Sequence, residues 1–114
     1  MKILAIETAT IVCGAAVVMD GALVSEEQIQ QKNVHAESIM GLIDTALKHS
    51  RVALDELDAV AISIGPGSFT GLRIGLSVAK GLCFALGMPL VAVPTLQALA
   101  QRAVDADVDV SPFV

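Results

Sequence analysis

The sequence predicts an α/β fold built on a mixed five-stranded sheet, with elements in the order βββαβαβα. Three observations predict it. The first 30 residues form short apolar runs broken by Asp20-Gly21, a dipeptide that marks a two-residue hairpin turn. Residues 35–49 carry Ile39, Leu42, Ile43, Ala46 and Leu47 at helical spacing. From residue 58 onward strand-like and helix-like segments take turns, which implies parallel neighbours joined by right-handed crossovers.

Taken in order, KILAIET (2–8) is the first strand, IVCGAAVVM (11–19) the second and ALVSEEQIQ (22–30) the third, the three running antiparallel. The helix that follows starts near Asn33 and keeps Asp44 and Lys48 off its apolar face. DAVAISIG (58–65) reads as a buried strand, 72–86 as a helix and PLVAV (89–93) as another strand. Residues 95–104 read as a last helix with Thr95 as its N-cap. The tail DADVDVSPFV turns acidic and then strand-like, so residues 1–104 are expected to form one lobe and 105–114 to begin a connection to a further lobe.

Composition narrows what such a lobe can do. Hydrophobic residues make up 54% of the 114 residues, yet aromatics are 3% with no Trp or Tyr, so the core is built from Ala, Val, Leu and Ile. With a mean hydropathy of +0.73, the chain is expected to bury surface against a partner as well. A net charge of −5 argues against this chain alone gripping a phosphate backbone, a task for Lys and Arg. Cys13 and Cys83 sit in apolar segments with no CxxC pair, the pattern of reduced cytoplasmic thiols. Glu7 interrupts the apolar N-terminal run, which excludes a signal peptide. No residue from Gly81 to Gln101 is charged, a length that could span a bilayer, but Gly87, Pro89 and Pro94 cut it into short pieces and no membrane contact is expected.

Residues 62–75, ISIGPGSFTGLRIG, concentrate four glycines behind a buried strand. Gly65-Pro66-Gly67 ends the strand in a tight turn, and Ser68 or Thr70 can cap the helix that follows. Amides converging at a helix N-terminus can receive an anion, so Gly65, Gly67, Ser68 and Thr70 are candidate phosphate contacts; the alternative is a purely structural elbow, and no Walker pattern is present. In the helix itself Gly71, Gly75 and Ala79 recur every four residues, while Leu72, Ile74, Leu76, Val78, Leu82 and Phe84 cover nearly every other direction. A helix apolar all round must be covered all round. The sheet covers one side; the other needs the 35–49 helix or a second molecule approaching closely at the glycines. Arg73 and Lys80 either rim that face or are ordinary solvated charges.

ILAIETAT, VHAESIMGLIDTALK and above all ISIGPGSFTGLRIGLSVAKGL resemble the N-terminal lobe of the bacterial TsaB (YeaZ) family, and the resemblance covers essentially all 114 residues. It implies an actin/Hsp70/sugar-kinase-like (ribonuclease H-like) lobe of a two-lobed cytoplasmic protein. It further implies pairing with a TsaD-type paralogue and a TsaE-type ATPase to make threonylcarbamoyladenosine in tRNAs that read ANN codons, with tRNA met only through the complex. On that reading the two helices dock on a partner's equivalent helices in a four-helix arrangement. The first would contribute Ile39, Leu42, Ile43 and Leu47, and the second Gly71, Leu72, Arg73, Gly75, Leu76, Val78, Ala79 and Leu82. Symmetry would let the same surface form a homodimer when the partner is missing. Gly75→Leu is then expected to weaken association while the lobe stays folded.

The same resemblance assigns no catalytic residue and no metal ligand. TsaD-type relatives open with an acidic ETSCDETG-like segment where this chain reads ETATIVCG, with Ile11 and Val12 at the corresponding places. Their H-x-x-x-H pair faces Thr95 and Leu99 here, neither of which replaces an imidazole ligand. His35 and His49, 14 residues apart, read as surface or capping residues. Glu7 occupies the place where superfamily kinases set an acidic residue near metal and phosphates, or is a strand-end carboxylate bonded to its own backbone. The expected molecule is a catalytically silent subunit that binds no cofactor by this lobe alone, with ATP a component of the full complex. Two rivals stand beside it: an ATP-binding phosphotransferase lobe, motivated by Glu7 and the Gly65–Thr70 elbow, and a glycoprotease-like peptidase, for which the paired metal ligands are not visible.

Overall fold

A computed structural model of the chain describes residues 1–10, 12–30, 36–65 and 67–94. Strands β1 (Lys2–Glu7), β2 (Val12–Met19) and β3 (Ala22–Gln30) are followed by helix α1 (Ala36–Ser50), a single 3-10 turn, β4 (Ala59–Ser63), α2 (Phe69–Leu86) and β5 (Leu90–Val93). The sheet order is β3-β2-β1-β4-β5, antiparallel from β1 to β3 and parallel where β4 meets β1 and β5. This is the mixed five-stranded sheet expected from the pattern. The expected last helix (95–104), the connection (105–114), Asn33 and His35 lie outside the described residues.

Local chemistry sets the joints. Asp20 and Gly21 both take positive φ, 52° and 81°, as the Asp-Gly hairpin requires. α1 closes in a Schellman motif, Val52 N donating to Leu47 O at 3.1 Å and Arg51 N to Lys48 O at 3.2 Å, with Arg51 itself left-handed at φ 60°. α2 ends at Gly87, left-handed at φ 67°, ahead of Pro89. At the other end Ser68 is its N-cap, taking a hydrogen bond from Gly71 N.

The core lies between the sheet and the two helices. Leu4, Ile6, Cys13, Ala15, Val17, Val60 and Ile62 supply the buried rows of the strands, and Ile39, Ile43, Ala46, Ala79 and Cys83 close over them. Fully burying a residue such as Leu4 or Ile39 stabilises by roughly 1.5–3 kcal/mol. The buried Ser25 hydroxyl is satisfied by donating to Ala46 O at 2.7 Å, which ties β3 to α1. β3 forms one edge of the sheet. Its pairing with β2 is broken by a bulge beside Val17 and Val18, and its middle carries Glu26 and Glu27.

Candidate functional site

The elbow before α2 packs directly on the turn after β1. Gly65 holds φ 106°, a conformation side chains rarely adopt. A Cβ on Gly67 would come within 2.3 Å of Ala9 O. Ser68 N donates to Ala9 O at 2.7 Å, Ser68 Oγ accepts from Gly71 N at 3.3 Å, and the Glu7 carboxylate accepts from Ala9 N at 2.6 Å. Three of the candidate phosphate residues, Glu7, Gly67 and Ser68, therefore do meet at one corner, with Gly65 just upstream and Thr70 exposed in the first turn of α2. Yet three of the amides there, those of Ala9, Ser68 and Gly71, are already committed, Glu7 spends its carboxylate on its own turn, and among the described residues no cation pairs with it. The elbow lies against the β1–β2 turn rather than standing off it as a phosphate cradle, so these residues do not fit the triphosphate that the fold family implies.

The glycine stripe faces inward. A Cβ on Gly71 would meet Thr8 O at 2.2 Å, and one on Gly75 would meet Thr8 Oγ1 at 2.1 Å. Ala79 is 0% exposed and Cys83 closes the row. This corrects the expectation that Gly71, Gly75 and Ala79 open a groove for another molecule: the backbone that approaches them belongs to the same lobe. Ile39 and Ile43, at 0% and 2% exposure, are likewise core residues and not contact residues, because the i, i+4 row of α1 points to the sheet. Thr8 was missed in the sequence. Its side chain is wholly buried under Gly75, and Oγ1 has no hydrogen-bond partner among the described residues. Four-residue spacing of small side chains signals a close backbone approach, and a buried Thr ahead of it is the complement to look for.

The opposite face of α2 and the seam with α1 form the candidate site. Leu42, Leu47, Leu72, Leu76, Val78 and Leu82 are half-buried and Arg73 is exposed. Met40, Phe69 and Phe84 add exposed apolar surface, Phe84 being 92% exposed. With the 71-75-79-83 row inward, residues 69, 73, 77, 80 and 84 fall outward, a consequence readable from helical geometry once the inward row is known. The helices run side by side and leave two recesses along their seam. One, of about 320 Å³, lies at the start of α1 among Ala36, Phe69, Thr70, Arg73, Ile74 and Val78. The other, of about 430 Å³, lies farther along among Met40, Asp44, Leu47, Arg51, Leu54 and Leu82. The Arg73 guanidinium sits over the Phe69 ring, 5.5 Å from its centroid.

α2 is also long and apolar enough, by length and composition, to cross a bilayer; its inward row packs instead on the sheet of the lobe. Among the described residues no group of three His, Cys, Asp or Glu could hold a metal ion. His49 is exposed at the end of α1 with its ring against the Glu27 carboxylate of β3. Ile11, Thr95 and Leu99 lie outside the described residues. Cys13 and Cys83 are free and buried, and burial pushes both thiols up, the Glu7 charge adding to the effect on Cys13.

The sequence family described as TsaD, tRNA N6-adenosine threonylcarbamoyltransferase, matches residues 22–114. A curated relative from Haemophilus influenzae, the tRNA threonylcarbamoyladenosine biosynthesis protein TsaB, is 36% identical over 103 residues, covering 90% of this chain and 43% of its own length. YeaZ from Pseudomonas aeruginosa superposes with a TM-score of 0.86 at 37% identity over 93% of this chain and 49% of that one. A hexokinase of the ROK type from Thermus thermophilus shares the fold alone, with a TM-score of 0.60 at 19% identity over 90% of this chain and 37% of that one. The chain spans less than half the length of the TsaB relatives it matches.

Proposed function

The chain belongs to the TsaD family and to its TsaB (YeaZ) branch, and from that premise we propose that it is one lobe of a cytoplasmic protein acting in tRNA threonylcarbamoyladenosine biosynthesis. Its part there is to dock a TsaD-type catalytic paralogue rather than to carry out the transfer, with tRNA and a TsaE-type ATPase met through the complex. The observation that carries this reading is the outer face of the α1–α2 pair. Met40, Phe69 and Phe84 are 45%, 72% and 92% exposed on one lobe, and exposed apolar surface of this kind marks interaction sites. Met, Phe and Arg are also residue types enriched in interface cores. The closed corner at Glu7, Gly67 and Ser68 supports the non-catalytic part of the reading, since the groups that would grip a phosphate are bonded within the lobe.

The docking face has half-buried Val78 and Leu82 at the seam, so a charged side chain there should oppose association while leaving the inward row intact. Sedimentation of the full-length protein with the TsaD-type protein of the same organism should show a stoichiometric complex with a dissociation constant of about 1 μM or tighter. Leu82→Glu should weaken it at least about tenfold, the cost of a charge set in an apolar contact. Transfer of the threonylcarbamoyl group to tRNA should fall with the complex. A TsaD-type protein that transfers at full rate alone, and no complex at tens of micromolar, would refute the proposal.

A further inference from the structure

Arg73 is the exposed cation of the docking face that is already held in place. Its guanidinium stacks on the Phe69 ring at 5.5 Å, and the pair borders the recess of about 320 Å³ whose walls are Ala36, Thr70, Ile74 and Val78. The chain as a whole carries 12 acidic against 7 basic residues, so carboxylates outnumber the available cations. Even so, among the described residues no carboxylate lies within 4.0 Å of Arg73, whereas Lys2 and Lys48 each have one. A planar guanidinium fixed by an aromatic ring beside an apolar hollow, with no partner for its donors among the described residues, is matched by a carboxylate carried on an apolar surface.

We propose that this recess is a specificity site for the docked partner: a helix that sets an apolar side chain against Ile74 and Val78 and one Asp or Glu against Arg73. The inference rests on the docking reading of the α1–α2 face and adds the chemistry that selects the occupant. Phe69 holds the guanidinium at the mouth of the hollow, so less side-chain freedom is lost when the carboxylate arrives. A second copy of this chain would bring another Arg73 and Lys80 together with Asp44 of α1, a mixed set that matches Arg73 less well than a helix whose contact charge is acidic alone, so the charge complementarity favours an acidic partner helix.

The test uses the full-length protein and the TsaD-type protein of the same organism, with binding followed by calorimetry at two salt concentrations. Arg73→Glu should weaken the complex at least about thirtyfold, Arg73→Lys should recover only part of that loss because an ammonium cannot make the bidentate contact, and Phe69→Ala should give a smaller loss. Reversing the charge of one partner carboxylate to Lys should restore binding to Arg73→Glu alone. Circular dichroism confirms that each variant is folded. If Leu82→Glu abolishes the complex while Arg73→Glu binds normally, the face is an interface and the specificity site is wrong. If neither variant matters, the docking reading itself falls. Loss of self-association without loss of the mixed complex in Arg73→Glu would also overturn the inference, since the occupant would then be a second copy.

Discussion

Gly75→Ala sets two known effects against each other at one atom. Alanine is the better helix former by about 1 kcal/mol, which alone would stabilise α2. The added Cβ, however, would stand 2.1 Å from Thr8 Oγ1 and 3.1 Å from both Thr8 Cβ and Cγ2. Ordinary contacts begin at 3.4 Å, so the overlap with Oγ1 is 3.4 − 2.1 = 1.3 Å. Thr8 is 0% exposed and has no solvent to turn into, so α2 and the β1–β2 turn must separate. Overpacking of a closed core costs roughly 1–3 kcal/mol and occasionally more, and an overlap this large belongs at the upper end. The net expectation is a loss of about 2 kcal/mol, read by urea unfolding followed by circular dichroism. Thr8→Ala removes Oγ1 and Cγ2, so Gly75→Ala should cost much less in that background, with a coupling of about 1–3 kcal/mol. A coupling below about 0.3 kcal/mol would refute the packing of Thr8 beneath the helix. Gly75→Leu, expected from the sequence to spare the fold, should instead unfold the lobe.

Removing the N-cap of α2 with Ser68→Ala should cost about 1 kcal/mol, measured in the same unfolding assay, because Gly71 N then loses its acceptor. The pH dependence follows from the ion pairs at the start of β1. Lys2 bonds Glu56 at 2.9 Å, and this contact first, then Ala53 N, holds the Glu56 carboxyl below its usual 4.5. The N-terminal ammonium lowers Asp20 from 3.8 in the same way. A depressed folded pKa means stability that is present above the unfolded value and lost as the pH falls through the folded one, so both contributions should vanish on acidification below about pH 4. Lys2 and the terminal amine shift upward, chiefly through the same bonds to Glu56 and Asp20, and their share should be lost on strong alkalinisation. Unfolding midpoints of Glu56→Gln should accordingly vary less with pH between 3 and 5 than those of the parent.

Much of this lobe could be read from its residues because local rules and global fold agree. Asp20-Gly21 can hardly do other than turn a hairpin, and the spacing of Ile39, Ile43 and Ala46 marks α1 as an amphipathic helix, although it does not say whether that row meets the sheet or a partner. The elbow was legible for the same reason, Ser68 being a strong N-cap behind glycine. What the pattern could not convey was ownership. Gly71, Gly75 and Ala79 announce a close backbone approach, but spacing does not say whether the approaching chain is a partner or Thr8 of the same lobe. Without the inward row, the outward one stays ambiguous too, so Phe69 and Met40 were overlooked and Arg73 could not be told from a solvated charge. The corner at Glu7 was ambiguous in a different way. Residue types alone do not reveal that Ala9 N and O claim the carboxylate and the Ser68 amide before any ligand does.

The outer strand β3 has a consequence for how such a molecule avoids adding to its own copies. A ribbon nine residues long, with no neighbour on its outer side among the described residues and with Leu23 and Val24 bare, invites sheets to grow sideways into fibres. Here adjacent carboxylates at its centre would be forced opposite those of any incoming copy, and the kink beside them spoils the straight register such stacking needs. Lateral polymerisation through this edge is thereby discouraged.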